Sequence, residues 1–388
     1  MKTRRLIFSG LWLLSLGAIS FYGGAVSYSL FWGFTLIPVI SLLYLICVYF
    51  QLKILQQIEN RNMVCLQPVP YSFVLQNEGF CPFASISVNL FSSFSTVEAL
   101  PGDKEYELLP GERYTFQTRL LCKYRGEYEV GVKEIVMTDF FRLFRIRYKI
   151  PGTVKALVRP RIIRVESLNS IDDMVMLMQR EASRERTEPD IVVRDYLPGD
   201  GPKQIHWKAS AREQKLKVRN RIGEEKQGIV LLWDTRRCSQ AIHEYLPIEN
   251  RILETVLALG IFMAERNIPF SACYGQNGVV SSRVNGLGDF DGFYQKVSEV
   301  QFSAEEALEK TLLHIEESGI LYQSRIIFCV LHEPDGAVQQ FMEQLERAGA
   351  LLVLYIVTED AVGEYQQQGD ERRRIMVIPV QGGLEGKL

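Results

Sequence analysis

The side chains most capable of chemistry crowd into one stretch, Arg194-Asp195-Tyr196-Leu197-Pro198-Gly199-Asp200-Gly201-Pro202-Lys203-Gln204-Ile205-His206-Trp207-Lys208-Ala209-Ser210-Ala211-Arg212, which runs on to Val218-Arg219-Asn220-Arg221. His206 is suited to acid-base work because imidazole titrates near neutrality. Asp195 and Asp200 lie close in sequence, and Ser210 follows. Nothing in the pattern governs that serine. The chain contains no Gly-x-Ser-x-Gly, His-Glu-x-x-His, Gly-x-Gly-x-x-Gly or phosphate-binding loop. The residue types also fit a purely structural arrangement, in which His206 and Trp207 lock a turn against a sheet while Lys208 and Arg212 pair with carboxylates.

Residues 194–226 carry nine Lys or Arg against five acids, whereas the whole chain has a net charge of −2. The excess is therefore local. A phosphate or an anionic lipid surface is a candidate partner for it, although Glu213, Glu224 and Glu225 interrupt the cations. Nucleic acid is excluded as the expected partner, because the chain is not basic overall and has no nucleic-acid motif. Pro198-Gly199-Asp200-Gly201-Pro202 is a turn by its chemistry. The spacing beyond it predicts a helical turn over Ile205–Ala211 and then a strand through Leu216 and Val218.

Arg194-x-Tyr196-x-x-Gly199-Asp200, followed by Ile205-His206-Trp207-Lys208-Ala209-Ser210-Ala211-Arg212, closely resembles the signature of a bacterial family known as domain of unknown function fifty-eight. Two further stretches are similar to that family: Tyr124-Arg125-Gly126-Glu127-Tyr128, and Asp139-Phe140-Phe141-Arg142-Leu143-Phe144, where the family carries Pro and Gly in place of Phe141 and Arg142. The resemblance implies a multidomain chain: a transmembrane helical hairpin, a β-sandwich, then an α/β, Rossmann-like domain similar to von Willebrand factor A. It also implies companions, namely a MoxR-type AAA+ ATPase and a membrane protein with a transglutaminase-like domain. No cofactor is implied.

The elements that must position the signature begin with two uncharged apolar runs, Leu6–Tyr22 and Tyr28–Phe50, separated at Gly23-Gly24. Each is close to the roughly 20 residues that cross about 30 Å of hydrocarbon. Two membrane-spanning helices within residues 1–60 are expected, and a cleaved signal peptide is disfavoured because a second span follows at once. Lys2, Arg4 and Arg5 precede the first run, Lys53 and Arg61 follow the second, and the turn between has no cation. Both ends of the chain are therefore expected in the cytoplasm. Seven scattered cysteines without a Cys-x-x-Cys pair suit free thiols in a reducing compartment, not a zinc site or a disulfide framework.

Over residues 61–160, short alternating segments (71–75, 84–90, 114–120, 128–136 and 154–158) separated by Gly- and Pro-containing turns predict a small antiparallel sandwich. Phe140, Phe141, Leu143 and Phe144 are expected either to pack the sandwich against the next domain or to form an exposed docking surface. Residues 161–227 connect to the last domain and include a Met-rich helix over 171–186. Over 228–388 strands and helices alternate: strands at 228–234, 270–274, 279–284, 325–331, 351–357 and 374–380, helices at 249–265, 303–317 and 338–348, with a capping box at Ser303 and Glu306. A mainly parallel sheet covered on both faces follows.

In the von Willebrand factor A fold, Asp-x-Ser-x-Ser after the first strand holds a divalent cation. The matching positions here are Asp234, Arg236 and Cys238. Only the aspartate survives, so Asp234 is a degenerate metal-site position, and a Mg²⁺ ion is disfavoured by the neighbouring guanidinium groups. Asp234 is expected to pair with Arg236, Arg237 or a cation of the 194–221 stretch. The leading expectation is a membrane-anchored, non-enzymatic interaction protein that uses Arg194, Tyr196, Gly199, Asp200, His206, Trp207, Lys208 and Arg212 to bind its partner. The competing one is a hydrolase or nucleotide-handling enzyme with His206 and either Asp200 or Asp234 at its site.

Overall fold

A computed structural model describes residues 2–98, 105–150, 152–168, 191–195, 207–221, 228–276, 278–304, 311–313, 324–334, 336, 338–341, 350–359 and 373–384. The chain divides into two compact units, Met1–Pro160 and Arg161–Leu388.

The first unit opens with α1 (Lys2–Tyr22) and α2 (Gly24–Gln51), both long and apolar enough to cross a membrane. The reversal between them needs a left-handed backbone, which Gly23 (φ 60°) and Gly24 (φ 87°) supply without a Cβ penalty. Trp12 donates its indole N–H to Thr35 Oγ1 at 3.0 Å, and Trp12 and Phe8 meet Phe31 and Phe34, so the helices pair antiparallel.

Helix α2 runs without a break past the apolar window into the β-structure, and β1 (Leu52–Ile58) starts at the next residue. Its last two turns are packed against protein: Leu45 and Val48 belong to the core of the sheets that follow, and the Tyr44 hydroxyl donates to Pro82 O and accepts from Ala84 N–H. This corrects the expected boundary at residue 60. An apolar window cannot separate a helix face that meets lipid from one that meets a sheet, so Tyr44–Phe50 read as span.

Three sheets follow, with strand orders β1-β3-β7-β5, β10-β9-β4-β6 and β2-β11-β8. Their strands are β2 (Asn62–Val64), β3 (Pro68–Asn77), β4 (Phe83–Leu90), β5 (Ser95–Val97), β6 (Glu105–Leu108), β7 (Arg113–Cys122), β8 (Gly126–Val130), β9 (Val132–Thr138), β10 (Arg145–Lys149) and β11 (Val154–Arg159). All pairings are antiparallel except β2 with β11. Alternation in β3 buries Tyr71, Phe73 and Leu75, and Phe73 stacks on its partner Phe116 at 4.6 Å. What reads as one strand over 128–136 is two, because Gly131 sits at φ 85° and a Cβ there would lie 2.7 Å from the Tyr71 hydroxyl.

In the Asp139–Phe144 turn the four apolar side chains divide. Leu143 is buried and Phe144 packs against the core, whereas Phe140 and Phe141 are exposed. Arg142 holds φ 55°, the left-handed conformation for which glycine is the ordinary choice. Buried Asp139 makes the turn possible, since its carboxylate accepts N–H groups from Phe141 (3.2 Å) and Phe144 (2.7 Å).

The second unit contains a hairpin, β12 (Ile191–Asp195) against β13 (Lys217–Arg221), with α3 (Trp207–Glu213) between the strands in sequence. A six-stranded sheet follows, ordered β16-β15-β14-β17-β18-β19. Its strands are β14 (Gly228–Trp233), β15 (Phe270–Gly275), β16 (Val279–Val284), β17 (Ser324–Leu331), β18 (Leu351–Thr358) and β19 (Arg373–Pro379), all parallel apart from the β16 edge. The near-continuous apolar strands are buried on both faces. Helices α4 (Ile242–Glu265) and α5 (Leu287–Glu299) pack together on one face, where Trp233 stacks on Tyr274 at 4.6 Å.

Helix α4 starts seven residues ahead of the expected Glu249, with Pro247 tolerated in its early turns. Helix α5 was not anticipated, since Gly288, Asp289 and Gly292 lower its propensity and only Phe290, Phe293 and Val297 are buried. Ser303 forms a strand-like bridge: its N–H donates to Thr235 O and its carbonyl accepts from Arg237 N–H. Glu306 and the Met-rich 171–186 segment lie outside the described residues.

Candidate functional site

The described parts of the signature segment, 194–195 and 207–221, are held by short-range chemistry. In the β12–β13 ladder Arg194 faces Val218 and Asp195 faces Lys217. Ser210, buried on α3, accepts the Lys217 backbone N–H at 2.8 Å and donates to the Lys217 carbonyl at 3.3 Å. Its hydroxyl is thus committed to pinning the helix on the start of β13. Gln214, at φ 50°, ends the helix and turns the chain toward that strand.

With Ser210 turned inward, Lys208 and Arg212 lie about 160° around α3 from it, and Trp207, one turn earlier, about 60°. At 100° per residue, Trp207, Ala211, Lys208 and Arg212 fall within an arc of about 140°. All four are exposed, and Trp207 keeps 67% of its surface accessible. The expectation that Trp207 locks a turn against the sheet is therefore corrected: its indole faces solvent. Neither Lys208 nor Arg212 forms an ion pair among the described residues. Tyr196, Gly199, Asp200 and His206 lie outside the described residues, and for Arg194 only the backbone is described.

A second candidate lies where the strand order reverses, between β14 and β17, since the chain leaves β14 toward β15 and later returns on the other side. Open α/β sheets place ligands in such a crevice, outside the carboxyl ends of the strands. Asp234 ends β14 there and is buried. Its carboxylate is saturated from within the chain: Arg236 donates Nε to Oδ2 at 2.8 Å and to Oδ1 at 3.1 Å, Nη2 lies 2.8 Å from Oδ2, and the Arg236 backbone N–H reaches Oδ1 at 2.9 Å. Nη2 also donates to Glu333 O, across the crevice at the end of β17, at 3.2 Å.

The guanidinium thus bridges the two strand ends. Arg237 points the other way, pairing with buried Glu249 at 2.9 Å and covering the Tyr245 ring at 4.1 Å. Thr235 donates its hydroxyl to Gly275 O at 2.6 Å, so this oxygen too is engaged. Exposed Cys238 has its thiol pushed up by partial burial and then by the negative charges of Glu249, Glu333 and Glu244. His332 places Nδ1 2.6 Å from Val357 O, which fixes the proton on that nitrogen. Among the described residues, no three His, Cys, Asp or Glu side chains gather as metal ligands. Of the two carboxylates considered as partners for His206, Asp234 is spent on Arg236 and Asp200 is not described.

No family model and no curated protein matches the sequence. Among solved structures, trypsin-activated alpha-2-macroglobulin from Escherichia coli is 14% identical, with a TM-score of 0.22, over 39% of this chain and 9% of that one. A GH20 exo beta-N-acetylglucosaminidase from Vibrio harveyi is 9% identical, with a TM-score of 0.20, over 84% of this chain and 78% of that one. At these scores neither likeness bears on fold or activity.

Proposed function

We propose that this is a membrane-anchored, non-enzymatic interaction protein whose second unit presents α3 to a cytosolic partner. The observation that carries the reading is Trp207: a large indole left in solvent on a helix pinned through Ser210, with Lys208 and Arg212 also exposed on it. Trp and Arg are the residue types that concentrate binding energy at protein interfaces. Ser210 serves as a backbone clamp and Asp234 is neutralised by Arg236, so neither is free for chemistry.

The resemblance of the signature to domain of unknown function fifty-eight supports a MoxR-type AAA+ ATPase as that partner, with a transglutaminase-like membrane protein as a further companion, in assembly or remodelling of envelope or multiprotein complexes. On this reading α1 and α2 cross the bacterial plasma membrane and both termini are cytoplasmic, in keeping with cations at Lys2, Arg4, Arg5 and Lys53. The six-stranded sheet, with Asp234 at the carboxyl end of β14, supports a von Willebrand factor A-like domain whose cation position is taken by Arg236.

The test is recovery of the ATPase with full-length tagged protein from detergent extracts, with and without ATP, for wild type and for Trp207→Ala/Lys208→Ala/Arg212→Ala. Loss of a hot-spot Trp with its flanking cations should weaken capture by 2 kcal/mol or more, about 30-fold. Capture unchanged in a folded triple variant overturns the assignment of this face.

A further inference from the structure

We propose that the Phe140–Phe141 turn is a lipid-seated foot, inserted at the boundary between headgroups and acyl chains of the leaflet from which α2 emerges. This rests on the reading of α1 and α2 as membrane spans. It adds that the sandwich is held on the bilayer surface by its own aromatic side chains.

Three observations place the turn at that depth. First, α2 leaves no slack. From Gly24 to Leu43 it is about 30 Å long, the thickness of a hydrocarbon core. From Tyr44 onward it is packed into the sandwich, and β1 begins directly after Gln51. The sandwich is thus rigidly continuous with the span. Second, the turn sits where both helices meet the sandwich. The Phe140 ring is 4.8 Å from the Tyr44 ring, and Arg5, the last cation before the apolar part of α1, donates Nε to Leu143 O at 2.6 Å. Antiparallel pairing through Trp12 and Thr35 brings the start of α1 and Tyr44 to the same end of the hairpin.

Third, the turn leaves exposed what a soluble turn would bury. Phe140 and Phe141 keep 59% and 55% of their surfaces accessible, while Asp139 and Leu143 beside them are buried. Arg142 adopts the left-handed conformation and pairs with Glu105 at 2.7 Å, which holds the two rings outward. Phenylalanine rings flanked by cations at the mouth of a membrane helix match the chemistry of the headgroup–acyl boundary, where interfacial segments bury Phe, Trp and Leu and keep Lys and Arg on the polar side.

The experiment uses the full chain in nanodiscs of phosphatidylcholine and phosphatidylglycerol. An environment-sensitive fluorescent amino acid replaces Phe141 in one sample and Ile40, exposed on α2, in another. Acyl-brominated lipids report contact with the bilayer and aqueous iodide reports contact with water. We expect bromolipid to quench both labels at least about twofold, as interfacial and spanning positions should, with iodide weakly effective on each. A 141 label open to iodide and blind to bromolipid, beside an Ile40 label that responds to bromolipid, overturns the foot and leaves the anchor standing. Silence of both labels to bromolipid overturns the anchor, and the foot with it.

Discussion

Replacing Arg236 by Ala tests whether the crevice at the end of β14 is closed by an internal cation. The Asp234 side chain is 4% exposed and that of Arg236 27%, so the pair is shielded but not dry. Opposite charges about 4 Å apart attract by about 4 kcal/mol at an effective dielectric of 20. The variant also no longer strips water from a guanidinium on folding, which offsets part of that and leaves a cost of roughly 2–3 kcal/mol for an orphaned carboxylate. The backbone N–H of residue 236 still reaches Oδ1 and keeps the cost from rising further. Amide exchange followed by mass spectrometry on the full-length protein reads this locally. Peptides covering β14 and β17 should exchange about 30- to 150-fold faster, the equivalent of that range at 1.4 kcal/mol per decade. Asp234→Asn removes the charge that needs a partner, so in the Arg236→Ala background it should recover at least about 1 kcal/mol of protection, a coupling of the kind neighbouring residues show. Arg236→Ser with Cys238→Ser places hydroxyls at both positions, and Mg²⁺ should then restore protection that it does not alter in wild type. Exchange in Arg236→Ala within about twofold of wild type, with no coupling to Asp234→Asn, would refute the internal-cation account.

Two other perturbations probe the packing. A Cβ at Gly260 would lie 2.6 Å from Phe293 Cε1, and that ring is held by Phe270 at 5.5 Å and Trp233 at 6.3 Å, so Gly260→Ala should cost about 1–3 kcal/mol despite the better helix propensity of Ala; a thermal midpoint at or above that of wild type refutes the close α4–α5 approach. Cys47 and Cys81 have their Sγ atoms 3.5 Å apart, so mild oxidation with copper-phenanthroline should form an intrachain cross-link that shifts electrophoretic mobility and disappears in Cys47→Ser; no shift in wild type, or one that persists in the variant, refutes the docking of the last turns of α2 on the sandwich.

The alternating pattern after residue 228 made an α/β sheet legible, because parallel strands buried on both faces are written as continuous Val, Ile, Leu and Phe runs. Helix α5 was illegible because three buried side chains among glycines and aspartates barely register as a period. The start of the first unit's β-structure was hidden by the same chemistry that marks an apolar run: Leu45 and Val48 are apolar whether they meet lipid or β-sheet. At the site, the sequence named the candidate partners of Asp234, and the structure selects Arg236. It could not indicate that Ser210 turns inward and Trp207 outward, since both follow the same helical turn and differ only in which residue the Lys217 backbone engages.

That division of labour bears on how a partner would be felt. A divalent cation in the crevice would make occupancy depend on a ligand drawn from solution, and the linked strand ends would respond to its arrival. An arginine two residues along the chain is always present, so the junction of β14 with Glu333 is held permanently. On the proposed reading the sheet is then a constant platform, and recognition is left to α3. That helix is seven residues long and fixed to its hairpin by the Ser210–Lys217 pair. Isolated helices of this length are unstable in water. Ser210 is accordingly what fixes α3 on its hairpin, so the rigidity of the surface that carries Trp207, Lys208 and Arg212 depends on a buried hydroxyl engaged with the Lys217 backbone.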